Sequence, residues 1–243
     1  MKRIMTDIQF HGKRNTMETR MKRRNTVIRM NGRNRREKMS IKEQILDLLR
    51  STGRKGMLEL STEMYIGGFF NAPCSTKHHL AKEGGLAEHS LNVYRTMKQL
   101  ALCLMSEDEY EQYKDSIVIV ALLHDLGKMG DYGKQNYIEN MIKDGRPTKA
   151  EPEQKYKRSE AEPYKTNPDL TYEEHEIRSL TTACRYIELT EEEYTAILHH
   201  NGLYSKLDSP YGNANYCKTK LAYLLHVADM WCSRFVEVEE KEE

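Results

Sequence analysis

The stretch Ile117-Val118-Ile119-Val120-Ala121-Leu122-Leu123-His124-Asp125-Leu126-Gly127-Lys128 decides the fold. Its apolar run is the longest in the chain and is too short to cross a bilayer. Ile117, Val120, Ala121 and His124 recur at helical spacing, so the imidazole lies on the apolar side of a helix, with Asp125 at its end. Burying such groups is costly unless something pairs with them.

Two more such groups lie to either side. Upstream, Leu86, Ser90, Val93, Met97, Leu100 and Leu104 recur every three or four residues and predict a helix over residues 86–105. His89, three residues after Leu86 and four before Val93, falls on its buried edge. Downstream, Leu221, Leu224, Leu225, Ala228 and Cys232 define a last helix, and Asp229 lies against the core within it. A divalent metal is the simplest partner for histidine and carboxylate converging from different helices. S-x-x-E and T-x-x-E pairs at Ser40/Glu43, Ser106/Glu109, Thr171/Glu174 and Thr190/Glu193 predict further helix starts. No strand alternation is evident, so the predicted class is all-α.

GGLAEHSLNV, ALLHDLGK and LLHVADMWCSR resemble the three metal-binding segments of the HD-domain superfamily of metal-dependent phosphohydrolases. The resemblance covers most of residues 41–236 and implies an HD-domain helical bundle. It makes His89, His124, Asp125 and Asp229 the core ligands, with Asp125 bridging when two ions bind. His175 and the pair His199-His200 occur where dinuclear members place additional ligands. His200, three residues after Ile197, is preferred as the ligand, which leaves His199 for substrate contact. His175 falls opposite an apolar stripe of Ile177, Leu180, Cys184 and Ile187, on a face shared with Ser179, Thr182 and Tyr186; that face either lines a site or meets solvent. His79 edges the pocket in similar proteins and is a substrate-contact candidate. Lys128 matches the motif's lysine, within reach of an oxyanion at the metal, and His226 reads as structural.

Charge divides the chain. Residues 1–40 carry 13 Lys and Arg against three acidic residues, whereas residues 41–243 hold 25 basic against 34 acidic side chains. Residues 1–39 thus read as a basic, disordered extension, with Met39, just before the Ser40/Glu43 box, as a candidate native start. Residues 40–236 read as the HD domain and 237–243 as an acidic frayed tail. The acidic body disfavours a broad nucleic-acid face. Five cysteines, widely spaced and without a CxxC pair, point to a reducing, cytoplasmic setting, and no secretory signal is evident. Residues 129–170 form a polar stretch with four prolines, read as an insertion; its cations and tyrosines, Arg158, Tyr137 and Tyr164 among them, would suit a lid over an anionic substrate.

The resemblance implies hydrolysis of a small phosphorylated substrate, a nucleotide first, by water activated at one or two divalent ions. Manganese or iron suits the histidine-rich dinuclear set, and manganese, cobalt or magnesium the four-ligand set. Asp125 and Lys128 would carry the catalysis. In feel, the segment from His199 to Asp229 is nearest the HD domain of 3′–5′ exoribonucleases, without their OB-fold. The alternatives are an exoribonuclease-like nuclease, a mixed-valent diiron oxygenase and a non-catalytic HD binding protein.

Overall fold

The computed structural model describes residues 39–149, 151–205 and 214–238. The proposed basic extension, apart from Met39, lies outside them. The fold below is that of the unit Ile41–Glu243.

Seven α-helices are present among the described residues: α1 (Ile41–Ser51), α2 (Met57–Ile66), α3 (Gly85–Leu104), α4 (Glu107–Leu123), α5 (His175–Cys184), α6 (Glu191–His199) and α7 (Lys220–Trp231). The C-terminal half of α4 is the centre of the bundle. Every residue from Ile117 to Leu123 is buried, as a helix apolar all round must be. α3, α6, α7 and α1 pack around it, and α5 lies against α6 and the turn that follows α4. Leu86, Val93 and Met97 of α3, Ile197 of α6 and Leu225 of α7 are fully buried in this core. No helix among the described residues is long and apolar enough to cross a membrane.

The caps agree with the sequence at two of the four expected starts and differ at a third. Ser106 accepts a hydrogen bond from the Glu109 N–H at the start of α4, and its first turn is acidic, which complements the helix dipole. Thr190 and Glu193 form a complete capping box. Thr171/Glu174 does not open a helix: α5 begins at His175, with Glu174 as a cap that makes no side-chain hydrogen bond. Thr219, unforeseen, caps α7 by accepting from the Ala222 N–H.

The all-α bundle is as expected, and residues 130–166, the expected polar insertion, add short strands to it. Six strands pair as three antiparallel two-stranded ladders: β1 (Gly130–Asp131) with β2 (Lys134–Gln135), β3 (Tyr137–Glu139) with β6 (Tyr164–Thr166), and β4 (Met141–Lys143) with β5 (Tyr156–Arg158). Strands of two or three residues, with both faces largely in solvent, leave no apolar alternation to detect. The β1–β2 turn places Tyr132 and Gly133 at positive φ, as a two-residue hairpin with matching twist requires. Arg185, just past α5, grips Asp131 with two hydrogen bonds of 2.6 and 2.9 Å. The remaining strands form one extended arm, joined to the loop before α3 where the Tyr164 N–H donates to the Thr76 carbonyl.

α7 ends in a π-turn, Cys232–Val236, which the Glu237 N–H closes on the Cys232 carbonyl. That turn brings Glu237 back into the body, where it is buried. The frayed tail expected from residue 237 therefore begins too early, because a residue inside an acidic run carries no sign of a distant histidine partner.

Candidate metal centre

Five helices bring side chains together at the turn after α4. His89 comes from the first turns of α3, His124 and Asp125 from the end of α4, His175 from the start of α5, His200 from the end of α6 and Asp229 from α7. His89, His124, Asp125 and His200 are at most 1% exposed, and the His175 side chain is a quarter exposed.

The four histidines share one orientation. His124 Nδ1 lies 3.0 Å from the Ala121 carbonyl and His200 Nδ1 lies 2.7 Å from that of Ile197. His89 Nδ1 meets the Glu237 carboxylate at 2.9 and 3.1 Å, and His175 Nδ1 is 3.4 Å from Glu176 Oε2. Carbonyls and carboxylates only accept, so Nδ1 of His89, His124 and His200 carries a hydrogen, and all four rings turn Nε2 toward the cluster.

Those Nε2 atoms face one another and two carboxylates. His89 Nε2 is 3.3 Å from His124 Nε2, 3.1 Å from Asp229 Oδ1 and 3.5 Å from Asp125 Oδ2. On the far side, His175 Nε2 is 3.4 Å from His200 Nε2 and 3.2 Å from Asp125 Oδ1, which His200 Nε2 approaches at 3.5 Å. Donors bound about 2.1 Å from one ion stand roughly 3.0–3.5 Å apart, so both sets have the spacing of a coordination shell. Asp125 serves the two sets with different oxygens. Its buried Oδ1 has no hydrogen-bond partner among the described residues, which marks a place for a cation. The donor set therefore fits one or two divalent ions.

The electrostatics agree. Burial first, with His200 and His89 beside it, pushes His124 down to about 3 against the pull of Asp125 and Asp229, so this ring is neutral and ready to donate. Burial would also lower His89, but the Cys74 sulfur when ionised and hydrogen bonds to Asp229 and Glu237 outweigh it and hold His89 well above the usual range. Asp125 resists the upward push of burial because Lys128 and His124 lie beside it, which keeps its carboxyl well below the usual range. Lys128, whose Nζ donates to Asp125 Oδ2 at 2.6 Å, stays protonated for the reciprocal reason: the carboxylate overcomes the cost of burial.

Residues 86–230 match the family model described as HD domain, more than half of the chain. The chain belongs to the HD-domain family. No curated protein and no solved structure matches it significantly. The HD match contains His89, His124, Asp125, His175, His200 and Asp229, the six residues that the fold gathers, and leaves Glu237 outside.

The other candidates take different places. His79 lies on the Nδ1 side of His89, its Nε2 3.3 Å from Cys74 Sγ and 4.0 Å from Glu237 Oε2; burial first, then His89 and Lys128, push it down to about 4. His199 is buried at the end of α6, and it is its neighbour His200 that belongs to the donor groups found among the described residues. His226 is structural as expected: Nδ1 meets the His200 carbonyl at 2.7 Å and the ring packs on Tyr216.

The face of α5 with Ser179 and Thr182 is buried, while Cys184 of the supposed apolar stripe is exposed. Ser179 accounts for this. Its hydroxyl accepts from the Gly127 N–H at 2.8 Å and donates to the His175 carbonyl at 2.8 Å, which locks the HD turn to the helix that carries His175. A Cβ on Gly127 would stand 2.4 Å from that carbonyl oxygen, so only glycine allows the approach.

Three supporting residues escaped the sequence reading. Glu237 orients His89, Glu176 lies against His175, and Asn201 bridges Glu176 (2.7 Å) and His175 (3.1 Å). Glu176 adjoins the His175 it contacts and Asn201 adjoins His200, which is a usable signal. Glu237 offered none.

Proposed function

We propose that this HD protein is a metal-dependent phosphohydrolase acting on a small phosphorylated substrate of nucleotide type. The observation that carries the reading is Asp125, whose two oxygens are divided between two sets of inward-facing imidazole nitrogens. Six nitrogen and oxygen donors without thiolate suit manganese or iron best, with cobalt or magnesium as alternatives. Bound divalent ions would supply Lewis acidity toward a phosphoryl oxygen and lower the pKa of the attacking water.

The chain's own residues do the rest. His89, His124 and His200 keep Nδ1 engaged by a carboxylate or a carbonyl, and all four histidines turn Nε2 toward Asp125. Lys128 holds a proton beside Asp125 and adds fixed positive charge where phosphoryl oxygens would lie. Cys74 is the nearby thiol, and burial pushes it up to about 11, so it is no nucleophile at neutral pH. Water is therefore the attacking group. The acidic balance of residues 41–243 favours a small ester over an extended polyanion. The family match is to the HD domain as a whole and lends no weight to an exoribonuclease subtype.

Turnover of glycerol 2-phosphate and a nucleotide panel by manganese-loaded protein tests this reading. Hydrolysis that disappears in Asp125→Ala supports it, and unaltered hydrolysis in that variant overturns it. The paired histidines of the second set would also suit a diiron oxygenase. Oxygen uptake by iron-loaded protein, without phosphate release, would favour that chemistry.

A further inference from the structure

The strand arm has a role that the HD donor set does not account for. A cavity of about 430 Å³ lies between β3 and β6 of the arm and the segment after α2, with Lys128 among its lining residues. It has the size of sites that enclose a whole small ligand, roughly 300–1,000 Å³. Lys128, whose Nζ donates to Asp125 Oδ2, is the lining residue that links the cavity to the proposed metal centre; none of the six donor residues lines it. Pro73, Tyr137 and Ile138 give it apolar and aromatic wall, Asn71 gives it an amide, and the Arg158 guanidinium stacks 4.6 Å above the Tyr164 ring at its side.

Charge is distributed unevenly along it. Lys82 is paired with Glu88 at 2.9 Å and Arg158 with Glu139 at 3.5 Å, while Glu83 accepts from Asn71. Away from Lys128 the lining thus holds two cations, both already matched, and two carboxylates. Such a wall suits an uncharged group and offers nothing to a second phosphate. Flat cation and aromatic surfaces beside an amide favour a planar ring with hydrogen-bonding edges.

We propose that the arm and the segment after α2 form a leaving-group pocket that takes the neutral nucleoside of a phosphomonoester, with its single phosphate at Lys128. The proposal rests on the phosphohydrolase reading for what happens at phosphorus, but the pocket itself can be tested by binding alone.

The probes are adenosine 5′-monophosphate, adenosine 5′-triphosphate and glycerol 2-phosphate, used with the full-length, manganese-loaded chain. The variants are Ile138→Trp, which fills the cavity from an arm remote from the helical core, and Arg158→Ala, which removes the stacked cation. Circular dichroism melts confirm that both fold. The expected result is calorimetric binding of the monophosphate that weakens about tenfold or more in Ile138→Trp and severalfold in Arg158→Ala, with glycerol 2-phosphate turnover within twofold of the parent chain. The triphosphate should bind more weakly than the monophosphate.

If the monophosphate binds as expected but no ester is turned over, the pocket stands and the hydrolase reading falls. If esters are turned over but the monophosphate is insensitive to both variants, the pocket proposal is overturned while the hydrolase reading stands. Equal binding of mono- and triphosphate overturns the assignment of the neutral wall.

Discussion

The two halves of the metal centre are built differently. His89, His124 and Asp229 come from α3, α4 and α7, which pack against one another in the core, and both histidines are fully buried. His175 comes from α5 on the flank and His200 from the end of α6, and the His175 side chain is a quarter exposed. One half is fixed by the bundle itself. The other depends on docking α5 against the turn after Asp125 through Gly127 and Ser179. A bundle that folds at all therefore forms the first half, whereas the second can be lost by a local change.

Asp125→Ala should have the largest effect, because it removes a donor common to both halves. Elemental analysis should find metal lost from both, with activity lost alongside. Retention of a full complement would show that the halves are independent. Gly127→Ala should break them apart. A methyl group 2.4 Å from the His175 carbonyl oxygen must push α5 away, at about 1–3 kcal/mol of stability. The protein should then keep the first ion and lose the second, which metal titration followed by calorimetry would resolve. Loss of the first ion as well would contradict the division.

Glu237→Ala attacks the other side. Removing the carboxylate that holds His89 Nδ1 should weaken binding at the first half by about 10–100-fold and leave the second nearly unchanged. Competition with a chelator would measure it, and equal weakening of both halves would count against the assignment.

A smaller effect concerns protons. In the metal-free chain His89 is held above its usual range and carries a proton near pH 7. An ion at the first half must displace that proton, so affinity should fall as pH drops from 8 to 6, and uptake should release protons in weak buffer. Affinity independent of pH would contradict the proton inventory of that half.

The two halves also differed in how far they could be read from sequence. His89, His124 and Asp229 sit at helical spacing among leucines and valines, so period alone places them in the core. His175 opens its helix, and its buried face carries Ser179 and Thr182, a pattern equally consistent with solvent. What decides the matter is a hydrogen bond from Gly127, 52 residues away, which no local pattern encodes. The arm was hidden because its strands alternate with nothing, and Glu237 because an acidic run looks solvated until a π-turn folds it back.

The central claim is that Asp125 joins two ion-holding sets, one of which requires His175. Metal content of His175→Ala, purified without chelator and reloaded with manganese, tests it most directly. Two ions per chain in the parent protein and one in the variant is the predicted result. The same metal content in both would contradict it.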